Sequence, residues 1–116
     1  MESILTSIKK ILGIDASYEH FDADIIMHIN SVFMTLQQLG VGPAEGFKIV
    51  DEETVWKDFL PEGQQLEAVK TYMALKVRLI FDPPDRSIVV QAMEKQAAEF
   101  EWRLNVAVDP NPAQSN

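Results

Sequence analysis

Apolar positions recur at helical spacing in four stretches of the chain, and the rest is organised around one of them, LEAVKTYMALKVRLIFDPP from Leu66 to Pro84. At about 100° per residue, Leu66, Val69, Met73, Val77 and Ile80 fall on one stripe, and Ala68, Tyr72, Leu75 and Leu79 form a second beside it. Only Glu67, Lys70, Thr71, Ala74, Arg78 and Phe81 share the remaining sector. With more than half its circumference apolar, this segment is predicted to be a central helix with other elements around it. Pro83 and Pro84 end it, because they lack backbone N–H groups and push the residue before them out of the α region.

Three further helices are predicted around the central one. The first covers about Ser3 to Leu12, with Ser3 as cap, Ile4, Leu5, Ile8, Ile11 and Leu12 on one face, and Gly13 at the left-handed stop. A polar connector, Asp15 to Asp24, follows. Asp22 is placed to cap a second helix from about Ala23 to Leu39, ending at Gly40, with a core stripe of Ile25, Ile29, Val32, Leu36 and Leu39 widened by Ile26 and Phe33. Met27 and Met34 lie on its other side, either as adaptable packing or as a docking surface. The last helix begins after FDPPD, with Asp82 or Asp85 able to cap it, and runs to about Ala107. Val89, Met93, Ala97, Phe100 and Leu104 make its core stripe, and Trp102 sits roughly opposite, among Gln91, Lys95, Ala98 and Glu99. At about 1.5 Å per residue this helix is about as long as a domain of this size is wide, so its far end is expected to lack cover.

Between the second helix and the central one, from Val41 to Glu62, the period breaks. GVGPAEG is turn chemistry, Phe47 to Val50 alternates enough for a short extended piece, and Thr54 is a candidate cap for one helical turn in TVWKDFL. The insert is acidic, with Glu45, Asp51, Glu52, Glu53, Asp58 and Glu62 against Lys48 and Lys57, and it carries an aromatic spine of Phe47, Trp56 and Phe59. Such residues either fold back on their own chain or face a neighbour. The fold class expected is therefore all-α: a four-helix small domain over residues 1–108, two shorter N-terminal and two long C-terminal helices with the acidic insert between. Residues 109–116, DPNPAQSN, form a flexible C-terminal tail.

Composition narrows the function classes. Hydrophobic residues make up 47% and charged residues 24% of 116, the balance of a folded rather than a disordered chain. No cysteine is present, which rules out disulfides and thiolate zinc sites. The N-terminal stretch is amphipathic with lysines inside its pattern, unlike a signal peptide, and no apolar run reaches membrane-spanning length, so no membrane partner is expected. A net charge of −8, with ten basic residues scattered from Lys9 to Arg103, leaves no footprint for gripping nucleic acid.

Candidate chemistry is sparse. His20, Asp22, Asp24 and His28 have spacing that can hold a metal, but Asp22 serves better as a helix cap and Asp24 as a first-turn carboxylate, so neither metal nor cofactor is expected. There is no Gly-rich phosphate loop, nucleophile elbow or HExxH, hence no catalytic residue and no enzyme. Lys76 interrupts the apolar stripes of the central helix; it either lies along the apolar surface with its ammonium in water or meets a carboxylate from the insert or a neighbouring chain. These observations alone reach as far as a small acidic helical interaction module, such as a non-viral protein-binding domain.

The order of segments goes further. LTSIKKILGI, FDADIIMHINSVFMTLQQLGVGP, TVWKDFL, VKTYMALKVRLIFDPP and AMEKQAAEFEWRLN together resemble the small head-tail connector, or adaptor, proteins of long-tailed bacteriophages. The likeness extends to about Val106 and rests on element order and on the phrases DIIMHIN, YMALKVRLIFDPP and EWRLN. It implies a structural virion protein, made in the host cytoplasm and located in the neck at the head-tail interface. Such a protein is a monomer when free and assembles as a ring, commonly of twelve copies, on the phage portal protein. The ring also meets the next neck protein, a stopper or tail-side component, while DNA passes through without specific binding. The family's C-terminal segment docks on the portal, which here implies Trp102, Asn105, Val106 and Val108. Phe47, Ile49, Trp56 and Phe59 of the insert, with Lys76, are the candidates for contacts with a neighbouring subunit or the neck partner.

Overall fold

The structure, a computed structural model, describes residues 2–61 and 65–108. It is helical, with α1 at Ile4–Ile11, α2 at Asp22–Gln38, the single turn α3 at Trp56–Phe59, α4 at Leu66–Phe81 and α5 at Ser87–Val108. Residues 109–116, expected as a flexible tail, lie outside the described residues. α4 is the hub: it packs on α1, α2 and α5. Val69, Tyr72, Met73 and Val77 of α4 are fully buried, and Leu66, Ala68, Ala74, Leu75 and Leu79 are half-buried against the same cluster or beside it. Both expected stripes therefore face inward, apart from Ile80. Phe81, assigned to the polar sector, instead packs edge-on to Phe21 with ring centroids 5.3 Å apart, because the connector brings Phe21 to the end of α4.

The helix ends follow local chemistry, with three changes from expectation. Ser3 caps α1 by accepting from the Thr6 N–H at 3.2 Å, and Gly13 takes the left-handed φ of 80° just beyond the end. Asp22 does not cap α2; it is the first helical residue and turns to the ammonium of Lys9, 2.8 Å away. The turn in TVWKDFL is likewise not capped by Thr54, whose carbonyl is engaged by the Ile4 N–H; Asp58 accepts from the Val55 N–H at 3.1 Å instead. At the start of α5 the Arg86 carbonyl accepts from Val89 and Val90, and neither Asp82 nor Asp85 caps the helix among the described residues.

Two polar residues on helix borders tie the irregular segments down. Lys9 is only 2% exposed, and its Nζ donates to the carbonyls of Ala16 at 3.0 Å and Tyr18 at 2.7 Å besides facing Asp22, so one ammonium folds the whole connector against α1. Asn30 of α2 does the same for the insert: its amide donates to the Ile49 carbonyl at 2.9 Å and accepts from the Ile49 N–H at 2.8 Å, standing in for a neighbouring strand. Phe47 to Val50 pairs with no strand; the one β-bridge among the described residues joins Ser3 to Val55.

Candidate docking surfaces

The insert is built inward. Trp56 is 2% exposed and donates its indole N–H to the Ser7 hydroxyl at 2.8 Å, which in turn donates to the Ile4 carbonyl at 3.0 Å. This satisfies the one polar atom of a large apolar ring, so the whole side chain can enter the core. Phe59 packs between Phe33 and Phe47 at centroid distances of 4.7 and 5.2 Å, Ile49 is buried beside them, and Phe47 is half-buried. The contact role expected for Ile49, Trp56 and Phe59 is thus not open to them in this conformation: they are core side chains of their own chain. What the insert leaves outside is mostly acidic, with Glu45, Glu52, Glu53 and Asp58 against Lys48 and Lys57, and it includes the aliphatic Val50.

Lys76 finds its carboxylate on the last helix rather than in the insert. Its Nζ lies 3.8 Å from Glu101 Oε2, and the same oxygen accepts the Tyr72 hydroxyl at 2.6 Å. Burial, reinforced by donation to this carboxylate, holds the Tyr72 phenol well above its ordinary range. Glu101 therefore belongs to the inward face of α5. Lys76 and Glu101 border an open groove of about 460 Å³ between α4 and α5, lined also by Leu79, Ile80, Glu94, Ala97 and Ala98.

The C-terminal half of α5 is fastened to the body. Ala97 and Leu104 are buried, Phe100 is half-buried, and Asn105 donates its side-chain amide to the Leu39 carbonyl at the end of α2, at 3.2 Å. Val106 is half-buried, and the side chain of Val108 lies outside the described residues. From this anchored segment Trp102 projects with 67% of its surface exposed. The end of α5 that lacks cover is the other one. Ile88 is 66% exposed, Val89 is exposed although expected in the core stripe, and half-buried Val90 takes the inward position. The reason is the neighbours: neither Ile88 nor Val89 meets the core cluster, which α5 joins only from Ala97 onward, so the first turn of α5 stands uncovered beside the end of α4.

The remaining candidates separate. Asp22 is spent on Lys9, Asp24 is exposed, and His20 and His28 flank Phe21 and Phe81. Among the described residues no group of three or more His, Asp or Glu side chains converges as metal ligands. No described helix is long and apolar enough to cross a membrane. Met27 and Met34 stand exposed on the outer face of α2. Lys9, Asn30 and Glu101 were not singled out by sequence reasoning. The available signal was positional: Lys9 lies one residue after Ile8 and four after Leu5, on the border of the apolar face of α1.

What this arrangement offers is a closed core and an outside that carries an anchored, exposed indole, an uncovered helical hairpin and an acidic insert. Comparison with known proteins agrees with a role in assembly. No curated protein and no solved structure matches the chain. A protein family described as phage connector protein matches residues 4–111, nearly the whole length. The chain belongs to that family of bacteriophage structural proteins.

Proposed function

We propose that this chain is the adaptor of the phage neck, joining the portal vertex of the DNA-filled head to the next neck or tail-side protein as a ring of subunits, twelve by analogy with the family. In this reading the free protein is a monomer and the ring forms on the portal, with the C-terminal end of α5 as the docking element and Trp102 as its anchor. The observation that carries the assignment of the docking element is the exposed indole on an otherwise fastened helix end. A residue held in place before binding loses little freedom on docking, and a tryptophan is the side chain most often found to dominate an interface. Asn105 supports the anchor by tying the helix end to α2, and Val106 and Val108 belong to the same proposed docking segment.

The charge suits a conduit. A wall that released DNA would avoid lysine clusters, since each phosphate neutralised adds affinity and slows passage. A chain of net charge −8 repels phosphate instead, and the same repulsion between copies keeps the free subunit monomeric. The test is attachment of purified protein to portal particles, followed by electron microscopy. Trp102→Ala should weaken each attachment by about 30-fold, corresponding to about 2 kcal/mol, while helix content and melting temperature stay at the parent values. Undiminished decoration of portals by the variant would move the docking surface away from this helix end.

A further inference from the structure

We infer that the uncovered tip of the α4–α5 hairpin is the surface by which one copy of this chain grips the next, seating on the acidic, methionine-bearing front of the neighbouring copy. The inference rests on the ring reading above and names the two faces that would build it. At the tip, Ile80, Ile88 and Val89 are exposed around the Asp82–Asp85 turn. Arg78 and Arg86 flank them and border a hollow of about 370 Å³ together with Asp82 and Asp85; neither arginine is within ion-pair distance of a carboxylate among the described residues, so the tip is locally neutral with its guanidinium groups free. Uncovered aliphatic side chains beside two unspent guanidinium groups call for an apolar surface rimmed by carboxylates.

The front of the same molecule has that composition. Met34 and Val50 are exposed, Met34 borders a hollow of about 360 Å³ together with Asn30, Phe47, Glu45 and Lys48, and Glu45, Glu52 and Glu53, which outnumber that lysine, form no ion pair among the described residues. Phe81, next to the tip, packs on Phe21 just before α2 and lies near His28 in the first half of that helix, whereas the insert is fastened to Asn30, two residues on and about 200° round the helix, and to Gln37 in its last turn, so the two faces lie on different sides of α2.

Charge selects the pairing. Residues 65–108 carry six Lys or Arg against six Asp or Glu, while residues 2–61 carry four against ten. Front against front is repelled. Hairpin against front is the combination in which the only neutral half of the chain meets its acidic half and the free arginines meet free glutamates. Because the two patches differ, the contact is heterologous, and such contacts close into rings when the rotation between copies allows.

The chain contains no cysteine, so single thiols report contacts without background. Ile88→Cys and Met34→Cys proteins, each checked for native circular dichroism, are oxidised separately and as a mixture at high concentration. The mixed disulfide should form at least ten-fold faster than either homodimer, and a chain carrying both substitutions should give a ladder of higher multiples. Adding Arg78→Glu and Arg86→Glu to the Ile88→Cys protein should abolish the excess, and Glu52→Lys with Glu53→Lys in the Met34→Cys protein should restore it. Equal rates for all pairs, a faster tip-to-tip product, or no product would overturn the inference. Attachment of the parent protein to portal particles is scored separately. Attachment without the mixed disulfide rejects these two faces alone, whereas a ladder from a protein that ignores portals rejects the neck assignment instead.

Discussion

Replacing Lys9 by methionine tests how the connector is held. The side chain keeps its length and apolar stem and loses the ammonium, which in the parent is 2% exposed and donates to the Ala16 and Tyr18 carbonyls while facing Asp22. Hydrogen bonds from a charged donor contribute about 1.5 to 3 kcal/mol each, and removing one partner of a buried ion pair costs about 3 to 5 kcal/mol. Two features reduce the total. Ala16 and Tyr18 are exposed, so water can reach their carbonyls, and the Asp22 side chain keeps 26% of its surface in solvent. Burying the ammonium also carries a desolvation cost that methionine avoids. The net loss is then about 2 to 3 kcal/mol, or a fall of roughly 10 °C in melting temperature for a chain of this size. Urea titration should show a lower midpoint at unchanged slope. Asp22→Asn alone should cost about 1 kcal/mol, since Lys9 retains two acceptors, and should become neutral or stabilising once Lys9 is methionine. A Lys9→Met protein within 0.5 kcal/mol of the parent would refute the clamp.

Val77→Asp places an unpaired carboxylate in the fully buried seam of α4 at a cost of several kcal/mol, comparable with the whole stability of a small domain, so far-UV circular dichroism at 25 °C should show it unfolded. Gly42 and Gly13 both have positive φ, yet a Cβ at Gly42 would come within 2.3 Å of the Phe59 ring while Gly13 faces open space. Gly13→Ala should therefore cost about 1 to 2 kcal/mol, and Gly42→Ala about 1 to 3 kcal/mol more from overpacking; equal midpoints in urea would count against the packing of the insert. Tyr72→Phe removes the bond to Glu101. Because the folded phenol titrates above its unfolded value, its contribution is complete below the ordinary tyrosine range and fades as pH rises through it, so the parent should lose stability in alkali more steeply than the phenylalanine variant.

Much of this fold was legible because four segments obey one period, and period alone says which face of a helix turns inward. It does not say how far the neighbours reach. The stripe from Val89 to Leu104 is continuous in sequence, but its first turn has nothing to pack on, so Ile88 and Val89 stand in solvent while Ala97 and Leu104 are buried. The docking indole could be placed by the same wheel, since Trp102 opposes that stripe. Single polar residues at the edge of an apolar face were not legible. Lys9, Asn30 and Glu101 look like any solvated helix residue until the segments they hold are folded over them. The aperiodic insert gave no face at all, and it took the hydroxyl of Ser7, 49 residues away in the chain, to bring Trp56 inside.

The inward folding of the insert bears on assembly as well as on stability. Had Trp56, Phe59 and Ile49 been displayed, a free subunit would have carried a large aromatic surface, at odds with the proposed reading in which it remains unassembled until it meets its partner. With them buried, the apolar surface left outside is divided among separate places: the tip at Ile80, Ile88 and Val89, the front at Met27, Met34 and Val50, and the indole of Trp102. Each is small, and in the proposed reading the acidic half of the chain keeps copies apart, so that no single contact holds two free subunits strongly. In the proposed ring, a template that arranges many copies at once would bring the same weak contacts to a high effective concentration, where they reinforce one another. Substitutions at Trp102 or Ile88 remove surface without touching the core, whereas substitutions at Trp56 or Val77 remove the core itself. Loss of assembly with intact helix content therefore identifies a contact, and loss of both identifies a fold defect.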